Sequence, residues 1–227
     1  AASGIGEAAA RLFASAGATV VLADIQDSLG AGVAASIGPD RCRYMHCDVA
    51  REEQVEATVD ATVAAHGRLD VMFSNAGVLL PAGAVMDTDM SALDRTMAVN
   101  FRGAAACVKH AARAMVAAGT RGSIVCTGSV ATCQGGFGPA PYTASKHAVL
   151  GLVRAAAGEL GRHGVRANCV SPGGVVTPLS CKLMGMDAEA LEKLMSAANL
   201  LHGTALKAAD VAEAALSLAS DQAAFVT

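Results

Sequence analysis

The sequence predicts an α/β fold in which a doubly wound parallel sheet is covered by helices on both faces, giving three layers. Two observations lead to this prediction. Short apolar runs alternate with amphipathic segments along most of the 227 residues, and such runs are typical of parallel strands buried on both faces. Polar residues follow the ends of these runs, which is where binding sites lie in such sheets.

The apolar runs have the length and composition of strands. They span residues 19–23, 42–47, 69–73, 123–127 and 165–170. Each is bounded by glycine, proline or polar residues, as expected at strand ends. We therefore expect the runs to lie side by side in one parallel sheet of the Rossmann type, with a site beyond their carboxyl ends.

The segments between these runs show helical periodicity. They span residues 4–15, 28–37, 52–66, 90–118, 142–163, 187–199 and 207–220. The first predicted helix ends at Gly17, a common helix stop, and the segment 90–118 is long enough to be two merged helices. The regular alternation of strand and helix predicts one domain over residues 1–227.

Composition argues against several classes of function. The chain is 53% hydrophobic and has a formal net charge of −3, so no basic surface for nucleic acid or an anionic membrane is expected. Its seven cysteines are scattered without a Cys-x-x-Cys pair, which favours free thiols in a reducing compartment and no metal site. We expect a cytoplasmic protein without nucleic-acid or membrane partners. Because the chain begins within a motif, residues 1–227 do not decide whether a targeting segment precedes them.

Tyr142 and Lys146 form the strongest chemical signal, because a spacing of four places both side chains on one helical face. A tyrosine with a pKa of about 10 is a poor base at neutral pH. A nearby ammonium group stabilises the phenolate and makes it usable in acid–base catalysis. Ser129 follows the strand predicted at 123–127 and could hold a substrate oxygen from the other side. A Tyr-x-x-x-Lys pair alone is common, so the prediction depends on the combination.

The first residues predict a phosphate site. Gly4 and Gly6 open the first helix, whose amides and dipole favour a pyrophosphate, although a lone Gly-x-Gly could also be a tight helix entry. Asp24, about twenty residues further on, could bind the ribose hydroxyls. Its carboxylate would repel a 2′-phosphate, and neither Ser3 nor Ile25 supplies a compensating cation. The sequence therefore predicts NAD rather than NADP.

With these residues in order, the whole chain resembles the short-chain dehydrogenase/reductase family. Residues 1–6 are similar to the end of its Thr-Gly-x-x-x-Gly-x-Gly motif, and residues 74–77 to its Asn-Asn-Ala-Gly motif, with serine in place of the first asparagine. Residues 172–177 match Pro-Gly-x-x-x-Thr, and Asn100 matches the active-site asparagine. The resemblance implies a first strand before residue 1 and a last strand after Thr227. Both would be missing from these 227 residues.

The resemblance implies a role for each matched residue. Tyr142 would be the base, Lys146 would tune it and bind the nicotinamide ribose, and Asn100 would hold a water that leads protons to solvent. Cofactor contacts are implied for Ser3, Gly4, Ile5 and Gly6 at the phosphates, Asp24 and Ile25 at the ribose, Asp48 and Val49 at the adenine, Asn75, Ala76 and Gly77 at the adenine ribose, and Pro172, Gly173, Val175 and Thr177 at the nicotinamide.

Several of these residues have structural alternatives. Asn100 could bridge backbone groups within a helix, and Asp48 or Thr177 could cap the following helix. A lid over residues 178–203 and the loop after Ser129 could line an apolar substrate pocket. The candidates are Cys133, Gln134, Phe137, Leu179, Leu183, Met184 and Met186, although leucine and methionine at helical spacing are more often plain core.

The finer similarity is to a plant branch of the family, seen for example in Tyr-Thr-Ala-Ser-Lys-His-Ala at 142–148. Members of that branch oxidise hydrophobic secondary alcohols with NAD. The leading hypothesis is therefore an NAD-dependent dehydrogenase of a hydrophobic secondary alcohol, and a terpenoid-like alcohol is favoured. The alternatives are a lignan or steroid alcohol, a carbonyl reductase working in reverse, and a non-catalytic NAD-binding protein.

The resemblance also implies a homotetramer paired through the two long helices. Their small residues include Ala104, Ala105, Ala148, Ala155 and Ala156.

Overall fold

A computed structural model of the chain describes residues 1–198, 201 and 204–227. Strands occur where the apolar runs predict them, with boundaries that differ by at most two residues. They are β1 (Val20–Asp24), β2 (Cys42–His46), β3 (Val71–Ser74), β4 (Ser123–Thr127) and β5 (Arg166–Val170). The pairings β1–β2, β3–β4 and β4–β5 are all parallel. The predicted Rossmann-like α/β class is confirmed.

The helices also follow the prediction closely. They are α1 (Gly4–Ser15), α2 (Asp27–Ile37), α3 (Glu52–His66), α4 (Met90–Met97), α5 (Gly103–Ala117), α6 (Ala140–Leu160), α7 (Pro178–Met184), α8 (Ala188–Ala198) and α9 (Ala208–Ala219). The long segment predicted at 90–118 is α4 and α5 joined by a π-helical turn. Helix α7 is new, because its seven residues are too few for a clear periodicity. Residue 199 of the helix predicted at 187–199 lies outside the described residues.

One expectation needs correction, because the parallel sheet is hydrogen-bonded in two parts. One part is β1–β2 and the other is β3–β4–β5. Helix α1 packs against both β1 and α9, and α9 packs on β4 and β5. Helix packing therefore connects the two sheets.

The helices form the two outer layers. Helices α1, α2 and α9 cover one face, and α3, α5 and α6 cover the other. On β4, Ile124 and Cys126 are fully buried in a cluster that includes Met115 and Val149 from α5 and α6. The buried Val125 points to the opposite face because side chains alternate along a strand. Within the described part of the chain, no helix is long and apolar enough to cross a bilayer.

Candidate active site

The proline-flanked start of α6 places Tyr142 and Lys146 on one face, as predicted. Pro139 precedes the helix and Pro141 lies in its first turn, where the missing N–H costs no hydrogen bond. The Lys146 Nζ lies over the Tyr142 ring, 5.7 Å from its centroid. It also donates to the carbonyl oxygen of Thr127 at 2.8 Å. Lys146 is only 4% exposed, so its amine is held inside the protein.

Burial dominates the acid–base properties of this pair. Burial raises the pKa of Tyr142 above its ordinary value, and the side chain of Ser129 offsets part of that rise. Burial lowers the pKa of Lys146 to about 8, although Cys169 and Cys126 favour its charged form. The net shift of the Tyr142 pKa is upward, and a lowering of that pKa by Lys146 stays a prediction. The amine lies over the ring face and is hydrogen-bonded to Thr127, while the phenol loses its hydration.

Ser129 lies at the end of β4, where it begins a short 3-10 turn. Its Oγ accepts from the amide of Ala131 at 3.1 Å, and the residue is buried. The amide of Val130 donates to the carbonyl oxygen of Pro172 at 2.9 Å. This contact joins the Ser129 loop to the 172–177 loop at the carboxyl ends of adjacent strands.

Asn100 lies in the π-helical turn and is 1% exposed. Its Oδ1 accepts from the amide of Val78 at 2.7 Å, and its Nδ2 donates to the Val78 carbonyl oxygen at 2.9 Å. A second Nδ2 bond reaches the Oγ of Ser145 at 3.0 Å. Asn100 therefore joins the π-helical turn to the backbone of Val78 in the loop after β3. A Cβ added to Gly77 would lie 3.4 Å from the Asn100 Oδ1 and 3.6 Å from the Lys146 Nζ, so Gly77 lies close to both side chains. The role of Asn100 in a proton relay stays a prediction.

The glycine-rich start lies close to Thr177 and to Asn75 in the turn after β3. Gly4 has a φ of +57°, and a Cβ there would be 3.3 Å from the Thr177 Cγ2. A Cβ on Gly6 would be 3.1 Å from the Nδ2 of Asn75. The Ser3 side chain makes no capping hydrogen bond, which leaves the first amides of α1 without that cap. The structure thus brings together the α1 entrance, the turn after β3 and Thr177.

Asp24 ends β1 beside this loop. Its Oδ2 accepts from the amide of Ala2 at 2.8 Å, and its Oδ1 accepts from the amide of Gln26 at 3.0 Å. Burial by itself would raise the pKa of Asp24, but the hydrogen bonds from the amides of Ala2 and Gln26 lower it and favour the charged form. The carboxylate is therefore charged at neutral pH. Ile25 next to it is exposed.

The predicted adenine residues form a tight turn between β2 and α3. The Asp48 Oδ1 accepts from the amide of Ala50 at 3.0 Å, so Asp48 stabilises its own turn. It does not cap α3, whose N-cap is Arg51. Val49 packs against Gly103 at the start of α5, where a Cβ would come within 2.7 Å of the Val49 Cγ2.

The predicted nicotinamide loop leads into α7. Thr177 caps that helix, because its Oγ1 accepts from the Ser180 amide at 3.2 Å, and its contact with the nicotinamide stays a prediction. Burial differs among the remaining predicted cofactor residues: Val175 is buried, Ile5 and Pro172 are half-buried, and Ala76 and Gly173 are exposed.

The predicted substrate residues do not form a closed apolar wall among the described residues. Phe137 is 49% exposed, Leu179 45% and Met184 48%. Gln134 and Cys133 are exposed, and Leu183 and Met186 are half-buried. A Cβ on Gly174 would be 3.0 Å from the Met195 Sδ, so α8 lies against the 172–177 loop. Residues 199, 200, 202 and 203 of the expected lid lie outside the described part of the chain.

Sequence reasoning missed two polar residues of the site. Thr127 accepts from Lys146 through its carbonyl and donates its hydroxyl to the Asn75 Oδ1 at 2.9 Å. Ser145 accepts from Asn100 and donates to the Tyr142 carbonyl oxygen at 2.7 Å. The position of Thr127 at the end of β4 was a signal available from the sequence. Ser145 carried none beyond its place between Tyr142 and Lys146.

Comparisons with known proteins cover the chain from end to end. The family profile described as Enoyl-(Acyl carrier protein) reductase matches residues 1–227. Short-chain dehydrogenase reductase 5 of Arabidopsis thaliana is 55% identical over 226 residues, covering 100% of this chain and 87% of the relative.

Two further relatives are named as synthases. Momilactone A synthase of Oryza sativa subsp. japonica is 52% identical over 228 residues, covering 100% of this chain and 83% of the relative. The (+)-cis,trans-nepetalactol synthase NEPS2 of Nepeta racemosa is 53% identical over 232 residues, covering 100% of this chain and 86% of the relative. Among solved structures, levodione reductase superposes with a TM-score of 0.89 at 30% identity, covering 100% of this chain and 90% of that one.

Proposed function

Because the chain belongs to the short-chain dehydrogenase/reductase family, we propose that it is an NAD-dependent oxidoreductase that oxidises a hydrophobic secondary alcohol to the ketone. One observation carries this proposal. The half-buried Tyr142 lies next to the buried Lys146 and Ser129, at the carboxyl ends of the strands. A buried amine next to a half-buried phenol is an arrangement typical of proton-transfer sites, and a purely structural role does not require it.

The residues present fit a dinucleotide. The left-handed Gly4 and the closely packed Gly6 keep the α1 entrance free of side chains, and its amides would hold the phosphates. The charged Asp24 would accept hydrogen bonds from the adenosine ribose. A 2′-phosphate would be repelled by that charge, so the preferred cofactor is NAD. Ile5, Val49, Asn75, Gly77 and Val175 would complete the contacts.

In oxidation, bound NAD would supply the hydride acceptor. Tyr142 takes the proton from the substrate hydroxyl, and Ser129 donates to the same oxygen and orients it. Lys146 stabilises the phenolate when the amine is charged. Gly77 has no side chain, so a water beside it could contact both Lys146 and the Oδ1 of Asn100. That water would be the proton's exit to solvent.

The substrate class is a bulky apolar alcohol, and a terpenoid is favoured. The support is the similarity to relatives named momilactone A synthase and nepetalactol synthase, together with the half-exposed apolar side chains of Phe137 in the loop after Ser129 and of Leu179 and Met184 in α7. Reduction of a ketone is the second candidate function, because the structure superposes well on levodione reductase. The same residues serve both directions.

The proposal includes the assembly and extent of the enzyme. We infer one catalytic domain over residues 1–227, acting as a cytoplasmic homotetramer paired through α5 and α6. Ala104 and Ala156 are buried in the chain's own core, whereas Ala105 and Ala148 are half-buried and Ala155 is exposed. These three would permit close contact between helices of two copies.

The deciding experiment follows NADH formation by the purified protein with a panel of terpenoid, lignan and steroid alcohols. NADP is run in parallel, and Tyr142→Phe is the matched variant. We expect turnover with NAD that rises with pH, because burial holds the Tyr142 pKa above its ordinary value and oxidation needs the phenolate. Tyr142→Phe should lower kcat by a factor of about 10² to 10⁴ and still bind NAD. NAD binding without turnover of any alcohol or ketone would favour the non-catalytic reading.

A further inference from the structure

A cluster of Tyr44, Asp27 and His46 lies at the adenosine end of the site, and the proposed chemistry makes no use of it. The hydroxyl oxygen of Tyr44 lies 2.7 Å from the carbonyl oxygen of Asp24 and 2.6 Å from the Oδ1 of Asp27. The Nδ1 of His46 lies 2.7 Å from the same Oδ1. The cluster therefore connects the ends of β1 and β2 to the first residue of α2.

The position of Tyr44 is fixed by packing. Its ring lies against Gly30 of α2, where an added Cβ would come within 2.2 Å of the ring. In the β1–β2 register Tyr44 pairs with Leu22, which is fully buried, and His46 pairs with Asp24. The niche at Gly30 holds the ring, so the hydroxyl reaches the 24–27 turn from a fixed point.

The charges in the cluster favour these bonds. The hydroxyl of Tyr44 and the ring of His46 lower the pKa of Asp27, so its carboxylate is ionised at neutral pH. Burial and the Asp27 carboxylate raise the pKa of Tyr44, so the phenol stays protonated and donates. A hydrogen bond to a carboxylate is stronger than one between neutral groups.

The turn needs such support, because Ile25 and Gln26 are both exposed and offer little packing. Apart from the cluster, the turn is held by bonds from the Gln26 amide to the Asp24 carboxylate, from the Cys47 amide to the Asp24 carbonyl oxygen at 3.0 Å and from the Gly30 amide to the Gln26 carbonyl oxygen at 2.8 Å. The Ala2 amide and the Gln26 side chain also donate to the Asp24 carboxylate. Asp24 can bind both ribose hydroxyls only if its carboxylate keeps one orientation.

We propose that Tyr44 and Asp27 are positioning residues that hold the 24–27 turn, so that Asp24 presents its carboxylate to the adenosine ribose. The proposal rests on the proposed function, because it assumes that the ligand is NAD. Neither residue needs to touch the cofactor. Replacing Tyr44 or Asp27 should therefore weaken the binding of NAD, and this effect should be transmitted through Asp24.

The test measures the Kd of NAD and of ADP-ribose by titration calorimetry for the wild-type protein and three variants. Tyr44→Phe and Asp27→Ala should each raise both Kd values about fivefold, the effect of losing one hydrogen bond. Asp27→Asn keeps an acceptor for the Tyr44 hydroxyl and should stay within about twofold of wild type. In steady-state kinetics the weaker binding should raise the KM for NAD. The kcat at saturating NAD should be unchanged. Asp60→Ala, an exposed change on α3, is the control.

The same variants in an Asp24→Ala background show whether the effect passes through Asp24. There Tyr44→Phe should cause no further loss of affinity, because the group being positioned is gone. An unchanged Kd in Tyr44→Phe and Asp27→Ala, with unchanged melting temperatures, would overturn the proposal. So would an equal loss in Asp27→Asn, which would indicate charge instead of positioning. A wild-type protein that binds no NAD would overturn the proposed function itself.

Discussion

At the scale of single residues, Lys146 is costly to the fold. Its amine is buried, and burial lowers its pKa from 10.5 to about 8. The Thr127 carbonyl accepts one hydrogen bond from it, which does not restore the lost hydration. A group kept at such a cost is typical of functional sites.

This cost has a definite pH dependence. Between pH 8 and 10.5 the unfolded chain binds more protons at Lys146 than the folded chain, so this contribution makes stability rise with pH in that window. Below it the full penalty applies, at about 3 kcal/mol. We expect Lys146→Met to raise the free energy of unfolding at pH 7 by about 2 kcal/mol after the lost Thr127 bond is counted, and to abolish turnover.

Urea unfolding of wild type and Lys146→Met at pH 7 and near pH 10 measures this effect. The advantage of the variant should shrink at the higher pH. A variant that is equally or less stable at pH 7 would show that the buried amine is well compensated in the fold. The conservative Lys146→Arg is the control for retained charge.

At the scale of elements, Arg166 links β5 to the end of α9. Its guanidinium donates to the carbonyl oxygen of Leu218 at 2.6 Å and to that of Ser220 at 3.2 Å. The last carbonyls of a helix lack partners within the helix and carry partial negative charge. Arg166 therefore fixes α9 on the sheet, and α9 in turn packs against α1.

We expect Arg166→Ala to lower the free energy of unfolding by about 1.5–3 kcal/mol, because it removes charge-assisted hydrogen bonds to the end of α9. Thermal and urea unfolding provide the measurement. Arg43→Ala, an exposed change on β2, should stay within about 0.5 kcal/mol of wild type. Equal stabilities for the two variants would show that α9 is held by apolar packing alone.

At the scale of the whole molecule, the proposed cofactor site draws on both sheets. Asp24 ends β1, whereas Asn75 and Ser129 follow β3 and β4. The two sheets share no strand pairing among the described residues. A ligand that contacts both would add a connection to the helix packing between them.

We therefore expect NAD to raise the melting temperature. At a hundred times its Kd it should add about 2.7 kcal/mol of stability, which for a chain of this length is a rise of about 5–10 °C. NADP at the same concentration should give a smaller rise, because the charged Asp24 repels the 2′-phosphate. Scanning fluorimetry with both nucleotides is the measurement, and an equal shift would contradict the preference for NAD.

The fold class and most helix and strand positions follow from local patterns. Helix α3 and strand β4 were predicted to the residue, because apolar period and flanking turns are encoded within a few positions. The pairing of Tyr142 with Lys146 could also be predicted from a local pattern, because a spacing of four residues places both side chains on the same face of one helix.

The partners of Asn100 and Tyr44 could not be read in this way. Asn100 bonds groups 22 and 45 positions away, and Tyr44 reaches Asp27 across 17 positions. Thr177 was predicted either to contact the nicotinamide or to cap the following helix. Its capping hydrogen bond depends on the formation of α7. Such contacts depend on how elements pack, which periodicity does not encode.

The sequence by itself determined the α/β class, the family resemblance and the set of chemical groups near the strand ends, because spacing and residue type are local properties. Only the tertiary structure decided how those groups behave. Burial raised the Tyr142 pKa and lowered that of Lys146, and packing turned Asn100 into a bridge to Val78. Desolvation and hydrogen bonding depend on everything that surrounds a side chain, and that environment exists only after the chain has folded.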